Sequence, residues 1–176
     1  MRLPYLLSAT ALSLSFCLPA SATTFAFLAN LSNVGEPTPT STGTGTASVV
    51  FDDAAFTVSV NESFATLVNN ATAAHIHCCT ATAFTGSAGV ALGFAGFPSA
   101  KSGTYINTFT LASGAFGTLL AGTQAGKAYL NIHSAAPYTA GEVRGFLVPV
   151  PEPGTYALMM GGLGLLALAA RRRKPA

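Results

Sequence analysis

Three histidines and two adjacent cysteines are the residues of this sequence whose types and spacing could support chemistry. His75 and His77 are two residues apart, Cys78 and Cys79 follow them directly, and His133 lies farther along the chain. On a β-strand alternate side chains point to the same face, so His75 and His77 share a face that Cys79 would extend. Imidazole and thiolate groups that converge in this way can bind zinc or copper.

The histidines also fit a structural role without any metal. Glu142 and Arg144 are two residues apart on another candidate strand and would share a face. A charge-assisted hydrogen bond from this pair to a histidine would tie neighbouring strands together. A polar cluster of His75, His77, His133, Glu142 and Arg144 is therefore the alternative to a metal site.

Candidate strands position these side chains. Alternation of apolar and polar residues, as in Val58 and Val60 with Ser59 and Asn61, predicts half-buried strands. Glycine and proline clusters separate these segments, Asp52-Asp53 indicates a hairpin turn, and one short helical turn is expected around residues 115–121. The predicted strands are 24–31, 46–51, 56–61, 73–78, 90–94, 105–111, 129–133 and 143–148. Many short strands of this kind indicate an all-β sandwich or barrel.

Composition and charge exclude several classes of protein. Of the 176 residues 50% are hydrophobic and 8% are charged, whereas about 25% are charged in an ordinary soluble domain. Five of the eight cations lie near the two ends, and residues 23–153 carry three cations against six carboxylates, a net charge of −3. Nucleic-acid binding needs clustered Lys and Arg, so it is excluded as the role of this segment.

The N-terminal segment has the three parts of a secretory signal peptide. Arg2 supplies the positive charge, Leu3–Leu18 is apolar, and Ala20-Ser21-Ala22 is an A-x-A cleavage site. We therefore predict that residues 1–22 direct export through the Sec machinery and are removed. An uncleaved membrane anchor is the alternative.

Export makes the state of the two remaining cysteines an open question. An oxidising compartment favours disulfides, but adjacent strand residues point to opposite faces, so Cys78 and Cys79 can bond only in a tight turn. We favour that vicinal disulfide. Two free thiols, an intermolecular bridge and thiolate metal ligands remain alternatives.

The C-terminal segment also has three parts. Pro149 to Gly154 is proline-rich and includes Val150, Pro151, Glu152 and Pro153, and residues 155–170 are apolar or small. A basic cluster closes the segment, formed by Arg171, Arg172, Arg173 and Lys174. A helix over about 155–170 would span roughly 24 Å, somewhat less than the hydrocarbon core of a bilayer, with the basic end cytoplasmic.

This C-terminal pattern resembles the PEP-CTERM sorting signal of Gram-negative bacteria. The resemblance rests on Val150-Pro151-Glu152-Pro153, the apolar stretch and the arginine-rich end in that order. It implies that an exosortase, a membrane protease-transpeptidase, recognises the tail at 149–176 and removes it. The precursor would then be an inner-membrane intermediate, and a permanent membrane anchor is the alternative outcome.

Residues 23–148 resemble a CHRD domain. The resemblance rests on Ala73-Ala74-His75-Ile76-His77, on Tyr129–Ser134 and on Gly141–Leu147. It implies a single immunoglobulin-like or superoxide-dismutase-like β-sandwich or barrel and no established enzymatic activity. Most members have Gly-Pro after the His-x-His, where this chain has Cys78-Cys79.

These observations predict an exported, non-enzymatic protein of the cell surface or extracellular matrix. Its expected partners are the exosortase, the Sec machinery and extracellular polysaccharide. The sequence carries neither a Gly-x-Ser-x-Gly elbow nor a phosphate-binding loop. The alternative function is a metal-binding or redox domain that uses His75, His77, His133 and the cysteine pair, with zinc or copper as the metal.

Overall fold

The computed structural model of the chain describes residues 23–151 and 153–172. The predicted signal peptide at 1–22 lies outside this range, as do Glu152, Arg173 and Lys174. The described part contains nine strands and two helices. They are β1 (Thr24–Leu31), β2 (Thr44–Asp52), β3 (Thr57–Ala65), β4 (Ala71–His77), β5 (Val90–Gly93), β6 (Gly103–Thr110), α1 (Ser113–Gln124), β7 (Tyr129–Ser134), β8 (Val143–Phe146), β9 (Val148–Pro149) and α2 (Pro153–Arg172).

The strands form two antiparallel sheets, which confirms the predicted all-β sandwich. One sheet has the order β6-β3-β2-β1-β9 and the other has the order β5-β4-β7-β8. Alternate residues of each strand face inward, and the fully buried side chains between the sheets include Phe27, Val49, Phe51, Ile76, Leu130, Ile132 and Leu147. Each such side chain contributes about 1.5–3 kcal/mol by leaving water.

The last two strands differ from the single strand predicted at 143–148. Val143 and Gly145 face the core in β8, which pairs with β7. Leu147 is fully buried and lies between the strands, and Val148 then pairs with Leu28 of β1 in the other sheet. The chain therefore crosses from one sheet to the other at Leu147, which accounts for the interruption.

Helix α1 is longer than the short turn expected around residues 115–121. It spans 12 residues and buries Phe116 and Leu119, and the Phe116 ring lies 5.8 Å from that of Phe51. Its glycines lower the intrinsic helix propensity, so packing against the core stabilises a helix that local sequence indicates only weakly.

One turn also bears on the predictions. The predicted turn at Asp52-Asp53 joins β2 to β3, and Asp52 Oδ1 accepts hydrogen bonds from the amides of Ala54 and Ala55. Phe56, the first residue of the predicted strand 56–61, lies in this turn instead, with a backbone φ of 52°, and β3 begins at Thr57.

Candidate metal site

The three histidines lie together on the outer face of the four-stranded sheet. His75 and His77 point away from the core because Ile76 between them is fully buried. Strand β7 pairs with β4 so that His133 lies opposite Ala73. The ring of His75 lies 5.0 Å from that of His133 and 5.7 Å from that of His77, centroid to centroid.

Backbone carbonyl groups fix the orientation of two of the rings. His77 Nδ1 lies 2.9 Å from the carbonyl oxygen of Ala88, and His133 Nδ1 lies 2.9 Å from that of Thr139. A carbonyl oxygen only accepts hydrogen bonds, so each Nδ1 carries the proton and donates it. In the neutral ring each Nε2 is then an unprotonated acceptor.

Three ring nitrogens of the cluster are buried and have no hydrogen-bond partner within the described part of the chain. They are His75 Nδ1, His77 Nε2 and His133 Nε2. Ligand atoms from the three residues all lie within 4.8 Å of one another. The fold therefore directs one nitrogen from each histidine towards a shared point.

Burial favours the neutral form of two of these rings. Desolvation lowers the pKa of His75, and the nearby His133 and His77 lower it further. Desolvation also lowers the pKa of His77, although its hydrogen bond to Ala88 opposes the shift. The neutral imidazole is the form that binds metal ions.

Aromatic and charged residues flank the histidines on the same face. The Tyr129 ring stacks on His77 with centroids 4.8 Å apart, and the Arg144 guanidinium lies 5.2 Å from the centroid of the Tyr129 ring. Glu36 forms an ion pair with Arg144, at 3.3 Å, and accepts a hydrogen bond from Asn131. Burial raises the pKa of Glu36, while Arg144 and Asn131 oppose that shift.

Glu142 does not belong to this face, which corrects the predicted polar cluster. Its fully buried carboxylate accepts hydrogen bonds from Ser41 Oγ and from the Val68 amide, both at 2.6 Å, and from Ser134 Oγ. Arg144 pairs instead with Glu36, which lies in the loop between β1 and β2. The spacing of residues in the sequence does not predict this contact, because Glu36 reaches the sheet from a loop.

Cys78 and Cys79 are bonded to each other in a vicinal disulfide immediately after β4. The strand ends at His77, so Cys79 does not extend the face of the histidines. Among the described residues, the group that could hold a metal consists of the three histidines without Cys79. The disulfide packs instead against Gly122 of α1.

A second buried carboxyl group, that of Glu62, lies in the core away from the histidines. It faces inward from β3, next to Ala47 of β2 and Tyr105 of β6 in the strand register. Neither carboxyl oxygen has a hydrogen-bond partner among residues 23–151 and 153–172. Desolvation therefore raises the pKa of Glu62 to about 8.

The predicted sorting segment begins where the sandwich ends. The Val150 amide donates a hydrogen bond to the carbonyl oxygen of Ala26, at 2.8 Å, and Pro153 begins α2. Arg171 lies in the last turn of α2, and the side chain of Arg172 is outside the described part. The described large apolar side chains of α2 are exposed: Met159, Met160, Leu163, Leu165, Leu166 and Leu168.

A helix thus forms over the segment predicted at about 155–170. Within residues 23–151 and 153–172, however, no helix has both the length and the apolar character needed to cross a membrane. The prediction of a transmembrane span therefore receives no support from the structure.

Comparison with known proteins identifies two sequence families. The family model described as CHRD domain matches residues 25–147, and the one described as PEP-CTERM protein-sorting motif matches residues 149–174. No curated protein and no solved structure matches the chain. Val148, the one residue between the two matched regions, lies in β9 at the edge of the five-stranded sheet.

Proposed function

Because this chain belongs to the CHRD domain family and carries a PEP-CTERM sorting motif, we propose that it is a non-enzymatic protein of the cell surface or extracellular matrix. The motif implies recognition by an exosortase, export, and processing at the membrane. We further propose that a cleaved signal peptide at 1–22 starts Sec export and that processing removes the tail. The observation that carries this proposal is the sorting motif directly after the last strand.

The position of the motif supports removal of the tail. Val148 and Pro149 pair with β1, and among the described residues the hydrogen bond from Val150 to Ala26 is the last backbone hydrogen bond between this segment and the sheet. A cut near Pro151 would therefore leave both sheets intact. It would also remove an exposed apolar helix, and a large exposed apolar surface promotes aggregation of a water-soluble protein.

Hydroxyl groups on the outer face of the five-stranded sheet support polysaccharide as a partner. Thr46 and Ser63 hydrogen-bond across β2 and β3 at 3.0 Å, and Ser59 and Thr108 do so across β3 and β6 at 2.9 Å. All four side chains lie at least partly in solvent. Hydroxyl groups both donate and accept hydrogen bonds, which suits them to a hydroxyl-rich glycan.

Processing can be tested in native cells and in the same cells without their exosortase. We expect surface or medium fractions of wild-type cells to contain protein without the tail. The Glu152→Ala variant and the exosortase-deficient strain should keep in membranes a chain that still carries its tail. The Asp53→Asn variant, which changes a carboxylate outside the motif, should behave as wild type. Wild-type protein that keeps its tail in the membrane would instead support a permanent anchor.

Polysaccharide binding can be tested by co-sedimentation with the purified native matrix. We expect the triple variant Thr46→Val, Ser63→Ala and Thr108→Val to sediment less than wild type, because it removes hydroxyl groups from the proposed face. His133→Gln, on the other sheet, should sediment as wild type does. Equal sedimentation of the triple variant and wild type would contradict this face as the binding surface.

A further inference from the structure

Three ring nitrogens of the histidine cluster are buried, and no hydrogen bond joins any of them to another residue of the described part. The carbonyl groups of Ala88 and Thr139 hold the Nδ1 protons of His77 and His133, so both Nε2 atoms present lone pairs. His75 Nδ1, the third unpartnered nitrogen, completes the group. The sequence contains three histidines, and all three belong to this cluster.

A proton on Nδ1 of His75 would not give every nitrogen of the cluster a hydrogen-bond partner. If Nδ1 of His75 carries a proton, it can donate to His77 or to His133 and leaves the other nitrogen unpaired. A buried acceptor without a hydrogen-bond partner destabilises the fold. A single metal cation would satisfy all three nitrogens together.

We propose that His75, His77 and His133 form a binding site for one zinc or copper(II) ion, with Nδ1 of His75 and Nε2 of His77 and His133 as the ligands. Neutral imidazole nitrogens suit these metals, whereas calcium and magnesium prefer oxygen ligands. The site does not depend on where the protein resides, so it stands or falls separately from the proposed surface function.

The surroundings of the ligands match those of known metal centres. A metal-ligating histidine usually donates its other N–H to a carbonyl or carboxylate group, which fixes the ring, and His77 and His133 both do so. A tetrahedral ion with metal–nitrogen bonds of about 2.0–2.1 Å holds its ligands about 3.4 Å apart. Small rotations of the three rings would bring their nitrogens, now within 4.8 Å, to that spacing.

The charge balance near the cluster also permits a cation. The Arg144 guanidinium lies 5.2 Å from the centroid of the Tyr129 ring and would repel a metal ion bound by the histidines. The Glu36 carboxylate offsets this charge because it pairs with Arg144 at 3.3 Å. Three histidines leave the fourth position of a tetrahedral ion open to water or another ligand. The chemistry of that position would depend on the metal bound.

The test is metal binding by the chain purified without an affinity tag and without reductant. After treatment with a chelator, it is titrated with Zn²⁺ alone and with Cu²⁺ alone. We expect one ion per chain, and nitrogen hyperfine structure in the electron paramagnetic resonance spectrum of the Cu²⁺ form. His133→Gln should lose this binding while its metal-free thermal midpoint stays that of wild type. If that variant fails to fold, the partly exposed His75→Gln serves instead.

A variant with both Cys78 and Cys79 changed to serine is the matched control. It should bind the metal as wild type does, because the disulfide lies outside the cluster. Failure of wild type to bind either ion would overturn the proposal. Unchanged binding by a folded histidine variant, or loss of binding in the serine variant, would also overturn it.

Discussion

Replacement of Glu62 by glutamine should stabilise the protein, and the gain should grow with pH. Glu62 is fully buried and has no hydrogen-bond partner among the residues that the structure describes, and burial raises its pKa from 4.5 to about 8. Between these two values the folded protein binds a proton that the unfolded chain has released. Wild-type stability therefore falls as pH rises through this window, by about 1.4 kcal/mol per pH unit from this group.

The magnitude follows from the same two pKa values. At pH 7 the unfolded carboxyl group is ionised and the folded one is mostly protonated, so Glu62 lowers the free energy of unfolding by about 3 kcal/mol relative to its value at low pH. Above pH 8 this loss reaches about 5 kcal/mol. Glutamine has the same shape and is neutral at every pH, so Glu62→Gln and wild type should have similar stability at pH 4.5 and diverge above it.

The assay is equilibrium denaturation of both proteins by urea across this pH range. Other titrating groups are common to both proteins, so their contributions largely cancel in the difference. Glu142→Gln is the matched control because Glu142 is equally buried but accepts hydrogen bonds from Ser41, Val68 and Ser134. That variant should lose stability, since glutamine offers a weaker acceptor. A difference between Glu62→Gln and wild type that does not change with pH would refute the reasoning.

Further substitutions test the packing of the sandwich. Gly145→Ala should cost about 1–3 kcal/mol, because the added methyl group would meet the Asn30 carbonyl oxygen of the facing sheet. Gly117→Ala, where the methyl group points into open space on α1, should instead gain about 1 kcal/mol; equal effects in urea denaturation would contradict this contrast. Serine at both Cys78 and Cys79 should cost less than about 1 kcal/mol, because a bond between adjacent residues closes almost no loop. A loss of several kcal/mol in the same assay would contradict that expectation.

Short-range patterns predicted most of the sandwich. The strand at 24–31 agrees with β1 at both ends, and its buried residues Phe27, Ala29 and Leu31 recur with period two. Period two also places His75 and His77 on one face. Turn residues marked the hairpin at Asp52, where the side chain accepts hydrogen bonds from the next amides.

Contacts between distant segments limited the prediction of the site. His133 reaches His75 only because β7 pairs with β4 in one particular register. Glu36 reaches Arg144 through a loop, and no local spacing indicates that approach. Glu62 carried a signal that could have been read, since the alternation of Val58 and Val60 continues through it to Phe64 and places its carboxyl group in the core.

The central claim is that the chain is exported and delivered by processing of its sorting tail. Intact mass spectrometry of the protein from native cells, by fraction and without reductant, tests it most directly. We predict a surface or medium form that starts near Thr23, ends near Pro151–Pro153 and is two hydrogens lighter than its dithiol form. Protein that occurs only in the membrane fraction and still carries Arg171–Ala176 would contradict the claim.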